Sequence, residues 1–288
     1  MESSELHGSS DTERGCASVG GNLYSLLKEG LRLARQYAPP LLLILLLLSV
    51  WQLTTWLMKV PKWLLPSPWQ IVVAGAEARE LLGPHTWQTL KETWVGLGLA
   101  VSVGLGLALV IDLSPLLRRT VYPLLVVSQT VPVLALAPLL IIWFGYGILP
   151  KVIVVALVCF FPIVVSTADG LRVADPALIA LLRAMGASRR QVFLKVRVPG
   201  ALPAFFSGFK IAITYSVVGA VIGEWVGASR GLGIFMIRSS KNFLTDRVFA
   251  AIAVTSLLSI VMFAAVVLLE RAVLPWYYAR REDVWEEL

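Results

Sequence analysis

DPALIALLRAMGASRRQVFLKVRVPGALP, from Asp175 to Pro203, is the stretch on which the reading of the chain turns. It carries five bases, Arg183, Arg189, Arg190, Lys195 and Arg197, between two strongly apolar segments. Asp175 suits a helix N-cap and Pro176 the first helical position. Leu178, Leu181, Leu182 and Met185 then fall at i, i+3, i+4 and i+7, which makes one apolar face. Gly186 supplies the left-handed residue that closes such a helix. Ser188, with Gln191 three residues on, forms a capping box for a second helix. That helix is predicted to run to about Val198 and to stop before Pro199. It shows Val192, Phe193 and Val196 on one side and four bases elsewhere. The unit is a helix, a glycine turn and a helix, suited to a membrane surface.

Its surroundings set the fold class. Of 288 residues, 57% are hydrophobic, more than a soluble domain of this length carries. Gln36 to Met58 is 23 residues without a charge, Thr93 to Ile111 is 19, and Thr120 to Pro150 is 31. Val152 to Ala168 is 17 and Val248 to Leu269 is 22, while Leu202 to Val226 is broken only by Lys210 and Glu224. A spanning helix needs roughly 20 mostly apolar residues, so six transmembrane helices are expected. With the N-terminus inside, the inside segments hold 15 Lys and Arg and the outside segments 9, with Lys210 within a span. By the positive-inside rule both termini are cytoplasmic. The net charge of +7 is explained by anionic lipid and calls for no nucleic acid.

Residues 1–34 read as a cytoplasmic tail, 35–280 as the transmembrane domain and 281–288 as a second tail. Residues 1–22 are Ser-, Gly- and acid-rich, without a cleavable signal pattern. Cys16 has no lipid-attachment context, Cys159 fits as a small apolar filler, and neither implies a disulfide. In the first outside loop, Ser67-Pro68 opens a short amphipathic helix, either anchored at the interface by Trp63 and Trp69 or serving a binding role. Gly96, Gly98, Gly104 and Gly106 allow helix backbones to approach closely. Pro132 and Pro138 break the third span beside Gln129 and Thr130, either as a packing kink or as one lining a pathway.

The loop at residues 172–199 resembles the cytoplasmic "EAA" loop of ABC importer permeases. The motif glycine is Gly186, its Ile and Leu positions hold Val196 and Val198, and its proline is Pro199. Ala180, Leu181 and Leu182 stand at the Glu-Ala-Ala positions, so the acid is missing. The segments "LPSPWQI", "GLRVADPALIALLRAMGASRRQVF" and "LPAFFSGFKIAITYSVVGAVIGEWVGASRGLG" are similar to the nitrate, sulfonate and taurine branch. "VIGEW" looks more like members that carry thiamine-precursor pyrimidines or riboflavin. The resemblance implies an all-α integral membrane protein of the bacterial cytoplasmic (inner) membrane. It would have six spans and a cytoplasmic coupling helix between spans four and five, the type I ABC importer permease fold. Leu182, Met185, Gly186, Ala187 and Pro199 would then dock on an ATP-binding subunit. The implied partners are two ATPase copies, an extracytoplasmic solute-binding protein and a second permease copy, in a homodimer. The chain has no G-x-x-x-x-G-K-[ST] loop, so ATP would be bound by the partner, and no cofactor or catalytic role is expected here.

Polarity within apolar spans makes Gln129, Tyr215, Ser216 and Glu224 the expected border of the translocation path. Glu224 could alternatively brace the outer loop through Arg230 or a facing helix. Lys210 is expected to snorkel to the headgroups. The rival classes are weaker. A secondary transporter would want repeats and coupling charges. A membrane enzyme would want clustered ligands, whereas the histidines are only His7 and His85.

Overall fold

The computed structural model describes residues 38–278. The tails assigned to 1–34 and 281–288 lie outside them. The first span, α1 (Ala38–Leu57), belongs to a unit of its own. Within that unit the Thr55 hydroxyl donates back to the Trp51 and Gln52 carbonyls. The Gln52 side chain accepts from the Trp69 amide at 3.2 Å, tying the helix to the segment that enters the next one.

The other unit holds the remaining spans. The short helix α2 (Pro68–Glu77) starts where Ser67-Pro68 predicts. Next comes α3 (Arg79–Leu113), with 35 residues. At 1.5 Å per residue α3 is about 52 Å long, well beyond a hydrocarbon core of about 30 Å. Much of the expected outside loop is therefore helical. The expected third span is two helices, α4 (Pro115–Ser128) and α5 (Val133–Phe144), bent by 94°. The break falls at Pro132, whose extended backbone forms the N-cap of α5, and Pro138 lies inside α5. Then follow α6 (Leu149–Gly170), α7 (Pro176–Ala184) and α8 (Arg189–Val192). A π-helical turn (Phe193–Arg197) leads into α9 (Val198–Trp225), followed by α10 (Leu232–Lys241) and α11 (Thr245–Val273). Among the described residues, five helices are long and apolar enough to cross a membrane, and the bent pair makes a sixth crossing if it counts as one.

One expectation is corrected. The helix opened by Ser188 does not end before Pro199 but continues as one 37-residue run, Arg189–Trp225. Pro199 sits in the first turn of α9. A proline there would clash with the carbonyl four residues back. The π turn shifts the pairing, with the Val198 amide bonding to Phe193 O, five residues back.

The core is built on α6 and α9, which pack along most of their lengths with α3 beside them. Val155, Cys159 and Ile163 of α6 meet Ala212, Ile213, Val217 and Ala220 of α9, with Leu97 and Ala100 of α3 and Met262 and Val266 of α11. Cys159 fills its place as expected, and its thiol reaches the Ala212 carbonyl at 3.2 Å. The glycine stripe of α3 divides by face. A Cβ on Gly96 would lie 2.5 Å from Val155 Cβ and one on Gly104 2.9 Å from Ile163 Cγ2, while Gly98 and Gly106 have open space. Gly208 of α9 is tighter still, with the Pro162 carbonyl and the Ser166 side chain where its Cβ would stand.

Lys210 is not a snorkelling lysine. Its Nζ donates to Glu270 Oε1 of α11 at 3.2 Å and lies 2.9 Å from Oε2. Glu270 is only 3% exposed, so in an apolar bundle a cation beside it is favoured over a lysine reaching for water.

Two outcomes follow for purified protein followed by thermal unfolding in detergent. Gly208→Val should lower stability by about 1–3 kcal/mol through overpacking, while Gly106→Val stays close to the wild type. Lys210→Met should cost roughly 3–5 kcal/mol by stranding a buried carboxylate, and adding Glu270→Leu should restore most of it.

Candidate functional site

The bundle has two polar ends. At the end holding the basic island, α7 is made as its sequence dictates. The Asp175 carboxylate accepts from the Ala177 amide at 2.8 Å. Gly186 takes φ +82°, and the Ala187 amide returns to Leu182 O while the Gly186 amide returns to Arg183 O. This is a Schellman closure that only a residue tolerant of positive φ makes cheaply. Ser188 and Gln191 form both bonds of the capping box. The turn is therefore fixed by local chemistry, yet no residue of α7 is buried. Leu181 and Met185 are 57% and 75% exposed. A rigid helix with an uncovered apolar face has the form of a docking surface.

The island is tied to the spans through Arg197. Its guanidinium bonds Asp112, at the end of α3, at 2.7 Å and the Leu171 carbonyl, just past α6, at 3.0 Å. A second pair, Arg118 of α4 with Asp169 of α6 at 2.8 Å, stands alongside.

At the opposite end, Glu224 is fully buried at the close of α9. Its carboxylate accepts from the Thr89 hydroxyl of α3 at 2.6 Å and from the Gly233 amide of α10 at 2.5 Å. The same Thr89 oxygen accepts from the Leu232 amide at 2.9 Å. His85 Nδ1 meets the backbone of Gly231, within 2.9 Å of its amide and 2.8 Å of its carbonyl. Gly231 has φ +134°, and a Cβ there would land on the Glu224 carboxylate, so only glycine fits this crossing. Glu92 and Lys151, both 2% exposed, complete the group. Gln88 donates to Glu92 Oε1 at 2.8 Å, and Lys151 reaches the Gly227 carbonyl at 3.3 Å. A cavity of about 530 Å³ opens beside Glu92 and Lys151, with Tyr146 and Arg230 on its wall.

The four residues expected to border a path are not gathered into one site. Gln129 is exposed at the α4–α5 break, its amide 3.5 Å from Ser128 Oγ. Tyr215 is 54% exposed on the outer face of α9. Ser216 is fully buried, and its hydroxyl turns back to Ile213 O of its own helix at 2.7 Å. Glu224 holds α10 and α3 to the end of α9; of the partners considered, the facing helix and not Arg230 provides its bond. Sequence reasoning missed Thr89, Glu92, Lys151 and His85. Glu92 and Lys151 border charge-free runs, and a border residue reads as loop. Lys151 lies in the first turn of α6, but His85, Thr89 and Glu92 lie well inside α3, where no local signal marks them.

Thr89→Val keeps the shape but strips the hydroxyl from between Glu224 and Leu232. Two buried polar groups then lose a partner, at a cost of about 2–3 kcal/mol. Hydrogen exchange at the Leu232 and Gly233 amides should quicken, and Thr89→Ser should restore protection.

Comparison with known proteins places this geometry. Residues 98–275 match the family of binding-protein-dependent transport system inner membrane components. The chain is 42% identical over 242 residues to the formylaminopyrimidine transport permease protein of Halalkalibacterium halodurans, covering 84% of this chain and 96% of that one. It is 36% identical to the riboflavin transport system permease protein of Chloroflexus aurantiacus, over 81% of this chain and 88% of that one. It is 32% identical to the taurine transport system permease protein of Escherichia coli, over 85% and 92%. Among solved structures, an inward-facing form of the MetNI methionine ABC transporter shares the fold, with a TM-score of 0.59 at 22% identity over 68% of this chain and 98% of that one. The multi-helix bundle and the match over more than half the chain agree: it belongs to the binding-protein-dependent transport system inner membrane component family, the non-catalytic permease subunits of ABC importers.

Proposed function

We propose that the chain forms the translocation path for a thiamine-precursor pyrimidine or a related vitamin-like compound. Support for the cargo is the 42% identity to a formylaminopyrimidine permease, above the 32% to taurine and sulfonate permeases. In this reading two copies of the chain meet in the membrane with both termini cytoplasmic. A solute-binding protein delivers cargo at the Glu224 end, and two ATP-binding subunits engage the island end. Family membership sets the secondary-transporter alternative aside.

The observation that carries the reading is α7. It is held rigid by its own caps, and its apolar face is left uncovered. Leu182, Met185, Gly186 and Ala187 supply the contact and the turn. Pro199 starts the helix that leads from the contact into the membrane. A sequence without a phosphate-binding loop has to draw its energy from whatever docks there. Gln129 and Tyr215, both exposed, are the side chains that a solute passing between two copies would meet. Ser216 and Glu224 act from behind that wall, by packing and by holding α10 in place.

Co-purification in mild detergent tests the docking. ATPase should accompany the wild type and fall by roughly tenfold or more with Met185→Arg, since a charge in a buried apolar contact costs several kcal/mol. Retention of ATPase by this variant would overturn the assignment of α7. Uptake by cells expressing the complete system tests the cargo: an excess of formylaminopyrimidine should compete and taurine should not. The reverse pattern would favour the sulfonate and taurine reading.

A further inference from the structure

We propose that the island end carries a built binding site for a phosphodiester anion, supplied by the headgroup of an acidic phospholipid. A cavity of about 800 Å³ opens where α3 ends, α4 begins and α6 ends. Four guanidinium groups line it, from Arg118, Arg119, Arg172 and Arg197, against two carboxylates, Asp112 and Asp169. Two of the positive charges are committed: Arg197 to Asp112 and Arg118 to Asp169. The lining therefore keeps an excess of two positive charges. Arg119 and Arg172 form no ion pair among the described residues. The commitment of Arg118 is also incomplete. Its Nη2 serves Asp169, while its Nη1 is buried without a partner. A buried donor of a charged group is costly to leave unmade. Guanidinium forks match phosphate geometry, and Arg119 and Arg172 on the cavity lining are the ones left to meet an anion.

Position argues for a lipid source. The lining residues stand at the termini of three membrane helices, the depth at which headgroups lie, and basic pockets between spans at this level suit anionic lipids. The start of α4 also faces the cavity through Ser114 and Pro115, adding the positive end of a helix dipole. An occupant would touch both Arg118 and Arg197, the residues that pin α4 and the island to α6 and α3. It would thereby stiffen the base of the coupling unit without being part of the α7 contact. The inference does not depend on the cargo or on the identity of the ATPase.

Native mass spectrometry of the full-length chain tests this with three probes: phosphatidylglycerol, phosphatidylcholine and inorganic phosphate. The variant is Arg119→Gln with Arg172→Gln, two exposed positions outside the structural ion pairs, checked for an unchanged melting temperature. The wild type should retain phosphatidylglycerol over phosphatidylcholine. The variant should lose roughly 25-fold in retention, from about fivefold for each arginine removed near an anionic lipid. If inorganic phosphate binds with the same dependence on the variant and phosphatidylglycerol is not retained, the anion site stands and its source is a free phosphate. Equal retention of the two lipids, or equal retention by wild type and variant with no phosphate binding, would overturn the proposal and leave the cavity to solvent or to an acidic segment of a partner.

Discussion

Ionisable groups at the ends of membrane helices need partners within the protein, and much of this bundle is arranged around that requirement. Each ion pair among the described residues joins two different elements: Arg118 of α4 to Asp169 of α6, Arg197 of the π turn to Asp112 of α3, and Lys210 of α9 to Glu270 of α11. The Glu224 group does the same without a direct ion pair, through Thr89, Gly231 and Gly233. Apolar side chains give little direction to helix packing inside lipid, because the tails are as apolar as leucine. Register between helices then falls to close glycine contacts and to polar groups that have one place to go. Gly208 against Pro162 fixes the approach of α9 to α6, and Arg197 and Glu224 fix the two ends of the long helical run.

The island obeys the opposite rule. Its backbone groups are satisfied locally by the Asp175 cap, the Schellman turn at Gly186 and the capping box at Ser188. Such a unit keeps its shape without tertiary burial, which is why α7 can hold an apolar face in the open. Leu181 and Met185 would be a poor choice for a surface that stays wet. Local capping thus lets the island keep its form while Leu181 and Met185 stay uncovered.

The island was the most legible part of the sequence, because caps and glycine turns are local and their signals lie within four residues of their effect. The spans were legible from the charge-free runs, and the α4–α5 break from Pro132. The Glu224 group was not. Glu92, Lys151 and likewise Glu270 border charge-free runs, where a charge reads as the edge of the membrane. In the fold they are 2–3% exposed and lie within helices. What makes a charge tolerable there is a residue more than 50 positions away, such as Lys210 for Glu270. The contact between Thr89 and Glu224 spans 135 positions. No window of sequence contains such a pair, and composition cannot separate a loop lysine from a buried one. The continuity past Pro199 was lost for a related reason: proline was read as a stop, whereas a π turn converts it into the first turn of the next helix.

That continuity matters to how the two ends communicate. Arg189–Trp225 is one helical run of 37 residues, about 55 Å at 1.5 Å per residue, and it joins the island to Glu224. Between those ends it is braced on α6 along its length and on α11 through Lys210. The irregular turn of this run, Phe193–Arg197, also carries the Arg197 clamp. π turns are the places where helices commonly accommodate irregular geometry. The fold sets the irregular turn next to the exposed α7–α8 unit and the regular length of α9 beyond it. At the far end a Cβ on Gly231 would land on the Glu224 carboxylate and one on Gly233 would lie 2.5 Å from the Val221 carbonyl, so α10 starts tight against the end of α9. Coupling across a bilayer requires a contiguous element whose two ends are each held by something able to change state. Arg189–Trp225 is contiguous in this sense, tied by an arginine at one end and by a buried glutamate at the other.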